Sequence, residues 1–452
     1  MSDDAPLFPF RSVVLGAFVP TLFFSTGTGA LLPVIVPTAT GMGSTLGMAG
    51  FVASLLPIGT IIADLPAGAL ADRLGDRKAL IYAGLVAAGA FALAALAPSL
   101  WLLGLAALLL GAAGAVFGLA RHSYLTIITP PLKRARVLST LGGVHRVGNF
   151  IGPFLGAWVI AAGGGLSAAM WLGVGAAIAA AVTVMVVPDD DAGRELTPHV
   201  ILRERSESQN PEKTPNHQSL GSATPLAAAL SAQNDVGGNR RGVDARPTLL
   251  GVLRQHRQLF ATLGMVCLLI GALRGARNTV IPLWGDHLGI DPATVSLIFG
   301  IAGGVDMLLF YPAGKAMDRL GRNWVAIPSV LIMGAALIAL PFTSGVGAMA
   351  VVAMVLGLGN GIGSGILMTL GSDASPEVGR PQFLGLWRVL QDTGSALGPL
   401  IVSTGAALGS LAAGVWAASA LGPAAAAALH RWVPRWTVHA NRSTRRAAGI
   451  KT

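Results

Sequence analysis

Ten ionisable side chains interrupt stretches that are otherwise apolar: Asp64, Arg121, His122, His145, Arg146, Arg274, Arg277, Asp306, Arg388 and Asp392. In such surroundings these groups do one of three things. Aspartates and histidines exchange protons as their environment changes, opposite charges pair, and guanidiniums hold anionic groups with several N–H donors. Arg388 and Asp392 are four residues apart, the spacing of a self-neutralising pair on one helix face. The repeat offset described below also sets Asp392 opposite Arg146, which raises an Arg146–Asp392 bridge. Arg274 and Arg277, with Asn278 beside them, share another face. They suit an anionic group, or they reach the outer interface or Asp286. Arg121 is close enough to a span end to extend into water, to meet a ligand, or to pair with Asp64. Proton exchange falls to Asp64, Asp306 and Asp392, with His122 and His145 as the imidazole candidates.

These groups need elements to position them, and the composition says which. Of 452 residues, 53% are apolar and 12% charged, against about 25% charged in soluble domains. Apolar runs of about 20 residues separated by short polar knots predict an all-α membrane protein. We read twelve helical spans, at 11–37, 46–70, 79–97, 100–126, 137–161 and 167–187, then 258–284, 293–315, 324–341, 346–371, 382–405 and 411–430. This divides the chain into an N-terminal six-helix bundle (1–187), a linker (188–257), a C-terminal six-helix bundle (258–430) and a basic tail (431–452). The linker opens with PDDD and is rich in Ser, Pro, Asn, Arg and Glu, a composition that does not bury enough apolar surface to fold alone.

Charge sets the orientation. Arg73, Arg77, Lys78, Lys133, Arg134, Arg136, Arg319, Arg322 and Arg380 fall in one set of connections, and the alternate connections carry no Lys or Arg. The positive-inside rule makes the basic side cytoplasmic, with both termini on it. The net charge of +10 does not point to nucleic acid, because no basic face carries interleaved aromatics. A single cysteine, Cys267, excludes a disulfide framework, and His199, His217 and His256 are too scattered for a metal site. The N-terminal MSDDAPLFPFR is short and acidic, and the run after it is too long for a cleaved signal.

The stretch GALADRLGDRK at 68–78 has a near copy, GKAMDRLGRNW, at 314–324. The offset of 246 residues also carries Pro130 and Arg134 onto Pro376 and Arg380, and Gly152-Pro153 onto Gly398-Pro399. Three unrelated landmarks at one offset mean two parallel six-span repeats. A glycine at position 68 lets a neighbouring helix approach closely, and a carboxylate at position 72 can meet a helix N-terminus or a nearby arginine.

On these residues the chain resembles the major facilitator superfamily. That family's G-x-x-x-D-R-x-G-R-R signature between spans 2 and 3 stands here as Gly68, Asp72, Arg73, Gly75, Arg77 and Lys78, with Asp76 where a basic residue is usual. The second copy is Gly314, Asp318, Arg319, Gly321 and Arg322. The resemblance implies that these residues latch the outward-facing state through Asp72 and Arg77. In span 5, Gly148, Gly152, Pro153 and Gly156 resemble the G-x-x-x-G-P-x-x-G motif of the superfamily's drug/proton antiporters. Small-residue packing explains the glycines equally well, and Gly394, Gly398 and Pro399 repeat the core in span 11. Two features depart from that branch: the arginine expected before Gly111 is missing, and span 1 has no acid.

The run GLGNGIGSG at 357–365 has no strand before it, so it reads as a packing stripe of Gly357, Gly361 and Gly365 rather than a phosphate loop. No catalytic nucleophile arrangement and no Walker motif stand in the chain, so the reading is not an enzyme and involves no cofactor. The resemblance implies a monomeric secondary transporter of the plasma (inner) membrane, with a small-molecule substrate and protons as coupling ion. Proton-coupled efflux of small organic compounds or drugs is the leading expectation. Proton-coupled uptake or exchange of an organic anion is the alternative, favoured by five arginines deep in the spans against three deep aspartates. A non-transporting receptor on the same fold is a third.

Overall fold

The computed structural model describes residues 13–129, 131–186, 249–376 and 378–449, excepting the side chains of Leu65, Asp72, Pro131, Leu132, Arg134, Ala135 and Pro381. Among these residues every regular element is helical. A π-helical turn at Val14–Phe18 leads into α1 (Val19–Leu31), and α2 (Ile35–Gly41) continues it after a short break. There follow α3 (Leu46–Leu74), α4 (Asp76–Leu96), α5 (Leu100–Ile128) and α6 (Pro131–Val159). A second π turn, Ile160–Gly164, leads to α7 (Gly165–Val186).

The second half begins with α8 (Leu249–Gln255), α9 (Arg257–His287), α10 (Pro292–Leu320) and α11 (Arg322–Ala339). It continues with α12 (Val346–Ile362), α13 (Ile366–Ala374), α14 (Arg380–Ala407), α15 (Leu411–Ser419), α16 (Leu421–Trp436) and α17 (Arg442–Ala447). Most of the predicted linker lies outside the described residues. Its last residues, however, form α8, because LLGVLRQ buries Val252 as it packs on α14.

Among the described residues, ten stretches are long and apolar enough to cross a bilayer. One of them, Arg136–Val186, holds 51 residues. As a straight rod it would measure roughly 76 Å, more than twice the ~30 Å hydrocarbon core. It is interrupted at Gly163 (φ 90°) and Gly165 (φ 68°), and α6 and α7 both pack along α1, so the chain turns back there. The 28-residue α14 has the length of a span but carries Arg380, Arg388 and Asp392, and it is not among the ten. Outward faces are apolar, with Trp101, Trp158 and Tyr311 exposed, the surface that lipid covers and water does not.

Helix ends repeat at the 246-residue offset. Thr45 and Asp291 cap α3 and α10, each side chain accepting an N–H three residues on, from Met48 (3.3 Å) and Thr294 (3.1 Å). α3 stops at Leu74 and α10 at Leu320, each before a glycine in the left-handed region, Gly75 (φ 79°) and Gly321 (φ 105°). Side chains resist that conformation, which fixes both helix ends.

Small residues set the helix contacts. A methyl at Gly148 of α6 would stand 2.6 Å from Ser25 Cβ of α1, and one at Gly152 would meet Ala30 N at 2.7 Å. A methyl at Gly394 of α14 would stand 2.9 Å from Ala272 N of α9, and Gly398 abuts Ala272 and Ala276. Gly156 leaves 3.5 Å to Ala30 O, and Pro153 and Pro399 sit inside their helices. Gly357 and Gly361 face Ala302 and Asp306 of α10. Gly365 does not extend that stripe: at φ 82° it begins α13 after a helix break.

Candidate functional site

We call the end carrying Arg73, Lys78, Lys133, Arg136, Arg319 and Arg380 the basic end. At the opposite end the two halves are in close contact. A methyl at Gly47 would stand 2.7 Å from Ala407 N, one at Gly50 2.8 Å from Ser403 Cβ, and one at Gly300 2.7 Å from the Phe154 ring. Thr40 Oγ1 donates to Asp286 Oδ1 at 3.0 Å. Toward the basic end contacts are looser, for a methyl at Gly68 would find one atom, at 3.8 Å, and one at Gly314 none within 4 Å.

Between these ends lie two charged clusters. The first is built on Asp306 of α10, where α6 packs along that helix. Arg146 of α6 donates to Asp306 Oδ1 at 3.1 Å, and Asn360 of α12 donates to Oδ2 at 2.6 Å. Arg277 of α9 stands 3.8 Å from Oδ2. Arg146 also lies over the Phe310 ring, 4.6 Å from its centre. One carboxylate thus holds three helices together with both oxygens engaged. Arg274, on the same face of α9, donates to the Gly363 carbonyl at 2.6 Å, at the break between α12 and α13.

The second cluster lies where α14 packs along α3. Arg388 Nε stands 3.6 Å from Asp64 Oδ1 and 3.5 Å from Asp392 Oδ2. Asp64 therefore pairs with Arg388 and not with Arg121. The Arg146–Asp392 bridge does not form either, because α6 lies along α10 and α14 along α3, so each charge meets the helix beside its own. Applying the 246-residue offset, Arg388 precedes the counterpart of Arg146 by four residues, and Asp64 follows the counterpart of Asp306 by four. Both displacements point toward the basic end, so the second cluster is the first one shifted by a helical turn.

A third group belongs to the first half alone. His145 of α6 is held between Ser25 Oγ on Nδ1 (2.6 Å) and Asn149 Nδ2 on Nε2 (3.0 Å). Arg121 of α5 donates to Thr21 Oγ1 at 3.3 Å, and His122 Nδ1 lies 3.1 Å from the Gly118 carbonyl. A cavity of about 20 Å³ between α1, α3 and α9, bounded by Leu31, Leu56, Asn278 and Pro282, has room for one water and not for an organic ligand.

At the basic end, Arg77 reaches the last carbonyls of α7, Val184 (3.4 Å) and Met185 (3.1 Å). Arg73 is exposed, and the side chain of Asp72 lies outside the described residues. In the second copy Arg322 pairs with Asp318 (3.2 Å) and Asp373 (3.0 Å). Asn360, Ser25, Asn149 and Asp373 join these sites without standing among the sequence candidates. Asn360 carries a usable signal, an amide inside an apolar span, masked by the packing glycines around it.

Three comparisons place this architecture. The family model of the Major Facilitator Superfamily matches residues 17–399 and 263–447. The multidrug resistance protein MdtH of Yersinia enterocolitica (serotype O:8 / biotype 1B) is 36% identical over 93 residues, 21% of this chain and 23% of that protein. The same figures hold for MdtH of Yersinia pestis (strain Pestoides F), so the chain spans less than a quarter of the length of these relatives. Among solved structures, a POT family transporter in complex with a thioalcohol-conjugated peptide superimposes with a TM-score of 0.69 at 11% identity, covering 94% of this chain and 97% of that one. A D-xylose-proton symporter gives 0.65 at 13% identity, covering 96% and 99%.

Proposed function

Given that the chain belongs to the Major Facilitator Superfamily, we propose that it is a secondary active transporter of twelve spans in two six-helix bundles, exporting small organic compounds in exchange for protons. Twelve follows if Arg136–Val186 counts as two spans and α14 as one more. The two-bundle reading is supported by Thr40 and Asp286, which touch although 246 residues apart. A residue meets its own repeat counterpart only on the axis relating the repeats.

The observation that carries alternating access is the contrast between the two ends, tight against Ala407, Ser403 and Phe154 at one and loose around Gly68 and Gly314 at the other. With the basic end in the cytoplasm, as its Lys and Arg favour, this is an inward-open conformer. Rocking the bundles would bring the signature loops together, where Asp72, Arg77 and their second-half counterparts serve as the latch. Arg121, Arg274, Arg277 and His145 line the path between the ends. Export as the direction rests on the likeness of part of the chain to multidrug resistance proteins.

A second reading, transport of an organic anion, draws on Arg121 and Arg274, whose hydrogen bonds go to a hydroxyl and a carbonyl. Flux into proteoliposomes under an imposed pH gradient, over cationic, neutral and anionic compounds, tests both. Export predicts gradient-driven movement that an uncoupler abolishes. Exclusive movement of anions establishes the second reading, and no flux under any gradient defeats both.

A further inference from the structure

We propose that Asp64 and Asp392 bind one proton between them across the α3–α14 contact, with Arg388 as its fixed counter-charge. This deepens the transport reading by naming the site of the coupling ion, although proton binding itself can be tested without transport.

The argument is one of stoichiometry and placement. Both carboxylates address the same nitrogen, Arg388 Nε, at 3.6 and 3.5 Å. That nitrogen carries a single N–H, and neither distance is that of a good hydrogen bond. The two oxygens therefore address one N–H and lie no more than 7.1 Å apart, the sum of 3.6 and 3.5 Å. The other oxygen of Asp64 and the facing oxygen of Asp392 are buried without any hydrogen-bond partner. Two anions meeting one cation leave a negative charge in apolar surroundings, which is costly. A single proton removes that excess and supplies the missing donor, since the O–H of one carboxyl can donate to the other carboxylate.

Neighbouring groups do not do this work. From α5, Arg121 is committed to Thr21 and His122 to the Gly118 carbonyl, and Arg121 is within 4 Å of no carboxylate among the described residues. From α9, Arg274 and Arg277 turn to Gly363 and Asp306, and the buried Cys267 directs its Sγ to the Trp387 carbonyl at 3.7 Å. His145 of α6 is held by Ser25 and Asn149. α2 and α15 present no titratable side chain. On the flanks toward the basic end, Arg254 ends α8, His256 stands edge-on to Phe383 of α14, Asp373 of α13 belongs to Arg322, and Asp76, Arg77, Lys78 and Tyr82 stand on the first turns of α4.

Asp306 makes the contrast. With two guanidiniums and an amide on one carboxylate it has no charge for a proton to cancel. The proton has an entry as well. The Arg388 side chain is 37% exposed while Asp64 is 7%, so solvent reaches the pair past the guanidinium. Loss of the proton restores the excess negative charge and favours parting α3 from α14, which lets water in to solvate it.

The test is infrared difference spectroscopy on the full-length protein in liposomes, titrated with acid. The wild type should show a carbonyl stretch of a protonated carboxylic acid at low pH that disappears as pH rises. That band should be lost in Asp64→Asn, in Asp392→Asn and in the double variant, and kept in Asp306→Asn. A band that survives either single substitution unchanged, or that Asp306→Asn removes, overturns the proposal.

Labelling of the unmodified protein with a hydrophobic carbodiimide, which attacks protonated carboxyls, needs no variant. It should mark Asp64 or Asp392 at low pH and spare Asp306, and marking only Asp306 would overturn the assignment. Absence of flux in liposomes with the band intact would defeat the transport reading and leave the proton site standing.

Discussion

The turn between α3 and α4 and the turn between α10 and α11 are copies of one sequence pattern, with the same left-handed glycine, and they have been put to different uses. Around Gly75 there is open space, and Arg77 reaches sideways to the carbonyls that end α7. Around Gly321 the chain's own C-terminal segment is folded down. The amide N–H groups of Arg322 and Asn323 donate to the carbonyls of His439 (3.0 Å) and Ala440 (2.9 Å). Arg445 donates to the last carbonyls of α10, Asp318 (2.7 Å) and Arg319 (3.2 Å). Helix ends leave such groups unpaired, and the tail satisfies those of two helices at once.

Charge follows the same division. Asp76 opens α4, where an acid suits the helix dipole, and its counterpart Arg322 opens α11, where a cation does not. Asp318 and Asp373 offset that second charge. A repeated motif thus keeps its backbone and loses its equivalence: the C-terminal segment is docked on the second copy, and Arg77 of the first turns to the end of α7.

The comparison can be broken in order of expected effect. Arg322→Ala leaves Asp373 without its guanidinium and should destabilise by about 3 kcal/mol, whereas Asp76→Ala should cost under about 1 kcal/mol. Thermal unfolding in lipid should rank them so, and equal costs would mean the two turns are alike. Gly75→Ala should cost about 1–3 kcal/mol for its backbone conformation alone. Gly321→Ala should cost more, because its methyl would stand 2.8 Å from Ala440 O and Asn441 Cα. Hydrogen exchange at the 322 and 323 amides should rise in that variant and not in the other. Arg77→Ala comes last, at about 1 kcal/mol or less, detected as faster exchange near the end of α7.

Much of this could be read from residues. The offset of 246 locates the repeat that the helix boundaries follow, whereas the spans read to 70 and 315 stop short of the helix ends at Leu74 and Leu320, where Gly75 and Gly321 take positive φ. The charged positions inside apolar spans were plain for the same reason, since each breaks a composition that lipid demands. Their partners were not. Arg146 and Asp392 occupy equivalent places in the two repeats, and equivalence under a two-fold keeps residues apart unless they lie on the axis, as Thr40 and Asp286 do. Which helix lies beside which is decided by close approach at glycines such as Gly148 and Gly394, a property of paired surfaces and not of one segment. The tail was legible only as basic. Its docking depends on backbone carbonyls at 439 and 440, which carry no sequence mark.

The one-turn offset between the Arg388 and Arg146 clusters has a consequence for timing. Water advancing from the basic end meets Arg388 first, with four residues, about 6 Å of helix, still to go before the level of Arg146. Opening from that end therefore proceeds in steps, reaching the cluster with a carboxylate to spare before the one with arginines to spare.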